Sequence, residues 1–130
     1  MKVLITGCTG QLGTALLESV PEGIEAIGLD RNQCDLGDPA QCRSAVRANR
    51  PDVLINAAAY TQVDKAEADR ETAFQVNAEG PRALAQALAE SDGRMIQIST
   101  DFVFDGTRSS PYSPDAKTNP LNAYGASKLA

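Results

Sequence analysis

The sequence predicts an α/β fold of Rossmann type, in which a doubly wound parallel sheet lies between two layers of helices. Short apolar runs alternate with amphipathic stretches along the chain, in the order βαβαβαβα. The runs are apolar throughout, which is typical of parallel strands that are covered on both faces. A glycine-rich turn follows the first run directly, as in the strand-to-helix turn of this fold. We therefore expect a three-layer αβα arrangement.

Four apolar runs predict the strands of the sheet. Each is short, rich in aliphatic or β-branched residues and followed by a turn-forming residue such as Gly7 or Asp30. The predicted strands are residues 2–6, 25–29, 53–55 and 95–98. Ligands of such sheets bind beyond the carboxyl ends of the strands. The candidate site therefore comprises the residues that follow the strands: 7–13, 30–36, 56–61 and 99–106.

Helix signals fill the intervals between the strands. Residues 11–20 place Leu and Val side chains on one face, and Pro21 follows them. Asp38 and Pro39 are N-cap and first-turn signals for a second helix, which we expect to end near Asn49. Residues 64–92 have helical composition. Gly80-Pro81 predicts a kink there or a division into two segments.

The last ten residues predict the beginning of a further helix, with no cap and no strand after it. We therefore expect residues 1–130 to be one NAD(P)-binding Rossmann domain, truncated at its C-terminal end. It would be the N-terminal part of a longer enzyme whose substrate region is absent.

Composition and charge exclude several function classes. The 130 residues suffice for one domain, and a net charge of −5 argues against nucleic-acid binding. The absence of His excludes Ser-His-Asp and Cys-His mechanisms and His-ligated zinc. The three Cys predict neither a disulfide framework nor a metal site, so we expect small thiols in a reducing cytoplasm. Neither a signal peptide nor a membrane-spanning run is expected.

Gly7, Gly10 and Gly13 are spaced as GxxGxxG between the first strand and the first helix. Gly7 allows the tight turn, Gly10 lets the backbone approach a pyrophosphate, and Gly13 lets the helix pack closely. The helix N-terminus presents free N–H groups to the phosphates. No Lys follows the last glycine, which excludes a Walker A loop. The context favours dinucleotide binding over a plain connecting turn.

Asp30 and Arg31 follow the second strand and bear on the choice of cofactor. Asp30 is placed to accept hydrogen bonds from the adenosine ribose and would repel a 2′-phosphate, which favours NAD. Arg31 could pair with that phosphate, which favours NADP. An ordinary solvated Asp-Arg turn is the alternative. The sequence thus predicts a cofactor that is NADPH or NADH and leaves the choice open.

Tyr124 and Lys128 form a YxxxK motif that lies on one face if residues 122–130 are helical. A free tyrosine has a pKa of about 10, and a neighbouring ammonium stabilises its phenolate. Such a pair can donate a proton to a carbonyl that is being reduced.

Four motifs together resemble the extended short-chain dehydrogenase/reductase family. They are Gly7-x-x-Gly10-x-x-Gly13, Asn56-Ala-Ala-Ala, Ser99-Thr100-Asp101 and Tyr124-x-x-x-Lys128. Within that family, TGCTGQLG, NAAAYTQVDKAE, VNAEGP and ISTDFVFDG resemble the dTDP-4-dehydrorhamnose reductases. The resemblance covers essentially the whole chain, and TQVDKAE and STDFVFDG are its most specific segments.

The resemblance implies a role for each matching residue. Tyr124 would donate a proton to the C4 ketone of the sugar, and Lys128 would bind the nicotinamide ribose and tune the tyrosine. Thr100 would be the third catalytic residue, hydrogen-bonded to the substrate carbonyl or the Tyr hydroxyl, and Asp101 would help to place the sugar. The cofactor would contact Gly10, Gln11, Leu12 and Gly13 at the pyrophosphate, Asp35 and Leu36 at the adenine, and Ala58, Ala59 and Tyr60 at the nicotinamide half. Tyr124 and Lys128 would contact the cofactor as well. Asn77 matches an Asn that is mostly structural in the superfamily.

Two positions depart from related patterns. Phe102 stands where nucleotide-sugar dehydratases have a Glu that forms an acid-base pair with the preceding Asp. Phe cannot abstract a proton, so ketone reduction is favoured over 4,6-dehydration. Tyr60 stands where family members often have His, which we expect to alter packing and to leave the reaction class intact.

The resemblance implies NAD(P)H-dependent reduction of dTDP-4-dehydro-6-deoxy-L-mannose to dTDP-L-rhamnose, a step of nucleotide-sugar and cell-surface polysaccharide biosynthesis. Two alternatives stay open: an NAD-dependent nucleotide-sugar epimerase of the same fold, and a non-catalytic NADP-binding regulatory subunit. Some relatives hold Mg²⁺ at a homodimer contact, and the acidic residues Asp64, Glu67 and Asp69 raise that option here. Their spacing is more typical of a solvated helix face.

Overall fold

In the computed structural model, which describes all 130 residues, four parallel strands form one sheet in the order β2-β1-β3-β4. The strands are β1 Lys2–Thr6, β2 Glu25–Leu29, β3 Val53–Asn56 and β4 Arg94–Gln97. At its carboxyl end, β1 places Thr6 opposite Leu29 of β2 and Asn56 of β3. The direction of winding reverses between β1 and β3. The predicted doubly wound Rossmann fold is therefore confirmed, with its switch point between these two strands.

Six α-helices connect or follow the strands, and none of them combines the length and apolar character that crossing a bilayer requires. They are α1 Gln11–Glu18, α2 Pro39–Asn49, α3 Val63–Ala68, α4 Arg70–Phe74, α5 Gly80–Ala89 and α6 Ala123–Leu129. The predicted cap of α2 is confirmed, because Asp38 accepts hydrogen bonds from the backbone N–H groups of Ala40 (2.9 Å) and Gln41 (3.2 Å). The first helix ends at Glu18, two residues earlier than predicted.

The predicted interruption at Gly80-Pro81 is wrong in its position. The helical region divides at Asp69 instead, and a π-helical segment, Gln75–Glu79, leads directly into α5. Gly80 has a packing role, because a Cβ there would come within 2.9 Å of the Leu36 Cβ. The wide π turns precede Pro81, whose missing N–H removes one helical hydrogen bond. Gly80 is needed because Leu36 packs closely against it, and Pro81 is tolerated because it follows the wide π turns. The helix therefore continues past both residues.

The main core lies on the face of the sheet that α2 and α5 cover. Leu4, Val46, Leu54, Leu84 and Leu88 are buried in it. Successive residues of a strand point to opposite faces. Helix α1 covers the other face, where its Leu17 side chain comes close to Gly28 of β2.

The expectation that helices cover both faces fails at β4. Met95 packs on the core, but Ile96 on the opposite face is 50% exposed and Ile98 is 38% exposed. Strand β4 is the edge of the sheet, and in this chain no helix packs on its outer face. The three-layer arrangement is therefore complete at β1 and β2 and two-layered at β4.

Candidate cofactor cleft and active site

A cleft of about 720 Å³ opens at the switch point, between the turn after β1 and the segment after β3. Its volume is in the range typical of small-molecule and cofactor sites. Nine of the predicted cofactor-binding residues line it: Gly7, Gly10, Gln11, Arg31, Asp35, Leu36, Ala58, Ala59 and Tyr60. Leu12, Gly13 and Asp30 do not line it.

The glycine turn brings the two walls of the cleft together. Gly7 has a φ of +67°, which L side chains rarely adopt, and a Cβ there would lie 2.8 Å from the Ala58 Cα. Gly13 packs on the turn itself, where a Cβ would lie 2.7 Å from the Cys8 Cα. Gly10 precedes α1 and provides no side-chain cap. The first amides of α1, which include those of Leu12 and Gly13, can therefore donate to a diphosphate.

A polar ladder, buried at Thr6 and Asn56, joins the carboxyl ends of three strands. The Thr6 hydroxyl donates to Asn56 Oδ1, and Asn56 Nδ2 donates to Gln97 Oε1 (2.8 Å). The same Asn56 oxygen accepts from the backbone N–H of Ala58 (3.2 Å). Thr6 and Asn56 are fully buried. The ladder therefore fixes the segment that begins at Ala57 over the end of β1.

Asp30 and Arg31 are both engaged within their own turn. Asp30 Oδ1 accepts from the backbone N–H groups of Asn32 (2.8 Å) and Gln33 (3.1 Å). Arg31 Nε donates to Asp35 Oδ2 (3.2 Å), and its side chain is 80% exposed. The second Asp30 oxygen and the terminal guanidinium nitrogens have no partner in the chain. Each residue therefore retains capacity to bind a ligand.

Sequence reasoning missed one wall of the cleft. Asp69 before α4, Thr72 within it and Val76 of the π-helical segment line the cleft, as does Cys34. Their spacing of three and four residues places them on one helical face, a pattern that could have identified them.

Cys34 and Cys42 are buried, and the half-buried Cys8 lies in the glycine turn. The Cys42 thiol donates to the Asp35 carbonyl (3.4 Å).

Tyr60 joins the cleft to the helices above it. Its hydroxyl donates to Asp69 Oδ2 (3.2 Å), and desolvation together with this carboxylate raises the pKa of Tyr60.

The carboxylate of Glu67 accepts from the backbone N–H of Ala123 (2.7 Å). With Asp69 and Glu67 so engaged, no three acidic or sulfur side chains of the chain converge as a metal site requires. The prediction of Mg²⁺ at a contact between two chains involves residues of both chains and stays a prediction.

The predicted catalytic pair lies on α6, beside the carboxyl end of β4. Lys128 Nζ donates to the Ile98 carbonyl (2.7 Å), and burial lowers the pKa of this ammonium. The Tyr124 ring packs edge-on against Phe102, with 5.6 Å between the ring centroids. The hydroxyl of Tyr124 makes no hydrogen bond within the chain. Residues 123–129 are helical as predicted, so the two side chains share one face.

Thr100 and Asp101 form the turn that follows β4. Thr100 Oγ1 accepts from the backbone N–H of Phe102 (3.2 Å) and donates to Asp101 Oδ1 (3.2 Å). Thr100 thus caps the single 3₁₀ turn Asp101–Val103 and is not bonded to the Tyr124 hydroxyl. Together with Tyr124 and Lys128, Thr100 and Asp101 form a second cluster of predicted site residues at the same edge of the sheet. None of the four lines the cleft.

Asn77 connects the cleft to the helix that carries the second cluster. Its Oδ1 accepts from the backbone N–H of Tyr60 (2.8 Å), and its Nδ2 donates to the Tyr60 carbonyl (3.0 Å) and to Ser127 Oγ (2.9 Å). Ser127 Oγ in turn donates to the Tyr124 carbonyl (2.7 Å). Asn77 and Ser127 are buried. The network holds the predicted nicotinamide side of the cleft and α6 in a fixed relation.

A third polar centre organises the loop between β4 and α6. Asp105 accepts from the hydroxyl of Thr107 (2.8 Å) and from its backbone N–H (3.1 Å), and also from Tyr112 (2.8 Å) and Asn119 (3.2 Å). These bonds, with those from Thr107 the strongest, hold the pKa of the Asp105 carboxyl well below its usual range. Phe104 stacks on Tyr112 at 4.3 Å. One carboxylate therefore ties together the two ends of the loop.

We expect Asp105→Asn to lower the melting temperature by several degrees at pH 7, because an amide accepts these bonds less strongly. The folded pKa lies below the unfolded one, so the carboxylate stabilises the fold above pH about 4 and loses this effect as the pH falls below it. The difference between the melting temperatures of wild type and variant should therefore narrow progressively as the pH falls from about 4 toward the lowered pKa of the folded protein. A difference that stays constant from pH 7 to pH 3 would contradict this assignment.

Comparison with known proteins identifies the family. A sequence model described as the RmlD substrate binding domain matches residues 1–130. The chain belongs to this RmlD family. The chain is 47% identical over 129 residues to a dTDP-4-dehydrorhamnose reductase of Burkholderia thailandensis, covering 99% of this chain and 43% of that protein. It is 43% identical over 134 residues to one of Mycobacterium tuberculosis, again with 99% and 43% coverage. The predicted resemblance is confirmed.

Solved structures of RmlD relatives have the same fold. A dTDP-4-dehydrorhamnose reductase of Clostridium acetobutylicum superposes with a TM-score of 0.95 at 38% identity, over 99% of this chain and 46% of that one. The enzyme of Bacillus anthracis, solved with NADP, gives 0.94 at 39% identity, over 98% and 46%. This RmlD chain thus spans less than half the length of the relatives it matches.

Proposed function

We propose that residues 1–130 are the cofactor-binding domain of an NAD(P)H-dependent reductase that acts on the C4 ketone of dTDP-4-dehydro-6-deoxy-L-mannose and yields dTDP-L-rhamnose. One observation carries the proposal: α6 presents Tyr124 and Lys128 beside β4 at the carboxyl edge of the sheet, and the cleft of about 720 Å³ opens at the same edge between β1 and β3. Relatives at up to 47% identity that are named for this reaction support the choice of substrate.

The residues fit a dinucleotide. A bound reduced nicotinamide would supply the hydride that reduces the ketone. The free amides at the start of α1 would bind the diphosphate, and the Ala58–Tyr60 segment would hold the nicotinamide half. The glycine at position 7 supports dinucleotide binding, because a Cβ there would meet Ala58 and would push the glycine turn and the Ala58–Tyr60 segment apart. Leu36 and Asp35 would flank the adenine.

The protein's own part in the reaction is proton transfer and orientation. Tyr124 would donate its hydroxyl proton to the ketone oxygen as the carbon is reduced, and an adjacent ammonium favours the phenolate that remains. The Lys128 ammonium is held at β4 by Ile98 and would reach the nicotinamide ribose. Thr100 and Asp101 would bind the sugar. Phe102 beside them carries no acid or base, which supports reduction over dehydration.

A direct assay tests the proposal. The full-length enzyme that contains this segment, supplied with the 4-keto sugar and NADPH, should oxidise one NADPH for each rhamnosyl product. An epimerase would change the sugar without net loss of NADPH, and a regulatory subunit would bind NADPH without turnover. A UDP-glucose 4-epimerase of Thermus thermophilus shares the fold at 24% identity, which is too low to support the epimerase reading. Binding of NADPH without its oxidation would refute the reductase.

The cofactor preference gives a separate prediction. We propose that NADPH is preferred, because Arg31 is 80% exposed at the cleft and keeps free guanidinium nitrogens, while one Asp30 oxygen is bound to its own turn. The complex of the Bacillus anthracis relative with NADP supports this choice. Arg31→Ala should weaken NADPH binding about 10-fold and leave NADH binding unchanged, since a charge-assisted bond is worth roughly 1.5–3 kcal/mol.

Asp30→Ala is the matched variant for this measurement. It should weaken NADH binding, because a ribose acceptor is lost, and leave NADPH binding unchanged or stronger. Titration of both variants with both cofactors gives four dissociation constants. Equal losses for NADH and NADPH in Arg31→Ala would contradict the assignment of the 2′-phosphate. A homodimer and a cytoplasmic location stay predictions, and no step of the reaction is assigned to a metal.

A further inference from the structure

We propose that Glu67 is a positioning residue for the reaction, fixing α6 so that Tyr124 meets the substrate carbonyl. The proposal rests on the proposed function, since it assigns a task to the helix that would carry the proton donor. Glu67 lies on α3, 56 residues before the backbone group that it binds. It therefore acts through the helix and does not touch the reacting atoms.

The hydrogen bond from Ala123 to Glu67 joins α6 to α3, and the Ala123 amide has no other acceptor. Glu67 Oε1 accepts from the backbone N–H of Ala123, the first residue of α6, at 2.7 Å. The cap residue Asn122 satisfies a different amide, that of Gly125, also at 2.7 Å. The first amides of a helix have no acceptor within the helix. Glu67 thus supplies from α3 the acceptor that the Asn122 cap does not provide.

The alanine contacts between these helices, against which the rings of Tyr60 and Tyr124 pack, fix the position of α6 along its axis less sharply than a hydrogen bond does. Ala66 of α3, Ala73 of α4 and Ala123 of α6 form a small, fully buried cluster. Methyl groups fit one another over a range of axial shifts, whereas a hydrogen bond weakens steeply when its distance and angle change. The cluster therefore brings the helices together, and the Glu67 bond sets where α6 begins.

Two other side-chain bonds hold α6 further along. Lys128 Nζ donates to the Ile98 carbonyl (2.7 Å), and Ser127 is bonded to the cleft wall. Ser127 Oγ accepts from Asn77, which also holds the Tyr60 backbone. Tyr124 lies between Ala123 and Ser127, so it is fixed from α3 on one side and from the cleft wall on the other. Loss of the Glu67 bond should leave the cleft wall in place and free the first turn of α6. The expected defect is therefore in turnover and not in cofactor binding.

The experiment compares three variants of the full-length enzyme. Glu67→Ala removes the acceptor, Glu67→Gln keeps an Oε1 acceptor but removes the charge, and Glu71→Ala removes an exposed carboxylate of α4 that makes no side-chain contact. We expect kcat to fall about 10-fold in Glu67→Ala with the Kd for NADPH unchanged, since a displacement near 1 Å can cost up to about 100-fold. Glu67→Gln should regain most of this loss, and Glu71→Ala should match the wild type.

Amide hydrogen exchange over residues 122–127 gives a readout that does not need activity. Exchange should rise in Glu67→Ala and stay at the wild-type rate in Glu67→Gln and Glu71→Ala. Equal exchange in all four proteins, or an unchanged kcat in Glu67→Ala, would overturn the proposal. A Glu67→Gln variant as slow as Glu67→Ala would also overturn it, by showing that charge matters and not the bond. An inactive wild type would instead refute the reductase, and the exchange measurement would still decide the role of Glu67.

Discussion

Replacing Tyr124 by Phe is expected to reduce kcat about 1,000-fold, within the range of about 10²–10⁴ that general acid catalysis contributes. The hydroxyl is the group that would protonate the ketone oxygen, and it makes no hydrogen bond within the chain. Its removal leaves the edge-on ring contact with Phe102 and the α6 backbone bonds intact. The Kd for NADPH should therefore stay at the wild-type value. Steady-state turnover with the 4-keto sugar and a separate cofactor titration measure the two quantities.

Tyr112→Phe is the matched control, because it removes the same atom from the loop between β4 and α6. Its hydroxyl donates to Asp105 and plays no part in the proposed reaction. We expect a lower melting temperature and a wild-type kcat. Turnover by Tyr124→Phe within a factor of about 3 of the wild type would be incompatible with general acid catalysis by this group.

Gly13→Ala should produce the second large effect, a loss of about 3 kcal/mol in the free energy of unfolding, the upper part of the range for an overpacked site. An added Cβ would lie 2.9 Å from the carbonyl carbon of Gly7 and 2.7 Å from the Cys8 Cα. These are backbone atoms of the glycine turn, so no side-chain rotation can relieve the contact. The displaced turn should also weaken NADPH binding. Urea unfolding and cofactor titration of the full-length protein give both values.

Gly23→Ala separates crowding from the general cost of a glycine replacement. Gly23 has a φ of +81°, and nothing lies within 4 Å of an added Cβ. The expected cost is about 1–2 kcal/mol from the backbone conformation alone, with unchanged cofactor affinity. If Gly13→Ala cost no more than Gly23→Ala, the close packing of α1 on the turn would not be a requirement of the fold.

The parts of the fold that local sequence determines were predictable. The four strands lie within a residue of their predicted bounds, and the Asp38 cap, the glycine turn and the helix at Tyr124 are present. Each depends on neighbouring residues, through strand propensity, a side-chain cap or a required φ. The cleft followed from the same signals, since parallel strands place their carboxyl ends at one edge.

The features that depend on distant residues were not predictable in this way. Gly80 looks like a helix breaker until Leu36 is found against it, and the polar ladder of Thr6, Asn56 and Gln97 joins three strands whose pairing the sequence does not state. Glu67 lies on an exposed face as predicted, but its bond to the Ala123 amide was not predictable, because that amide belongs to another helix. Local patterns report backbone preferences, whereas these contacts arise only when the elements pack.

The π-helical segment that carries Asn77 makes chain length at this point as important as residue identity. A π turn holds one residue more than an α turn, so deleting one residue from 75–79 would restore ordinary helical winding. The flanking helices would keep about the same relative facing, because the wide turn is what accommodates the extra residue. Asn77 would instead leave the position from which it bonds the Tyr60 backbone and Ser127. A one-residue deletion here should therefore be less tolerated than any conservative substitution in the same segment.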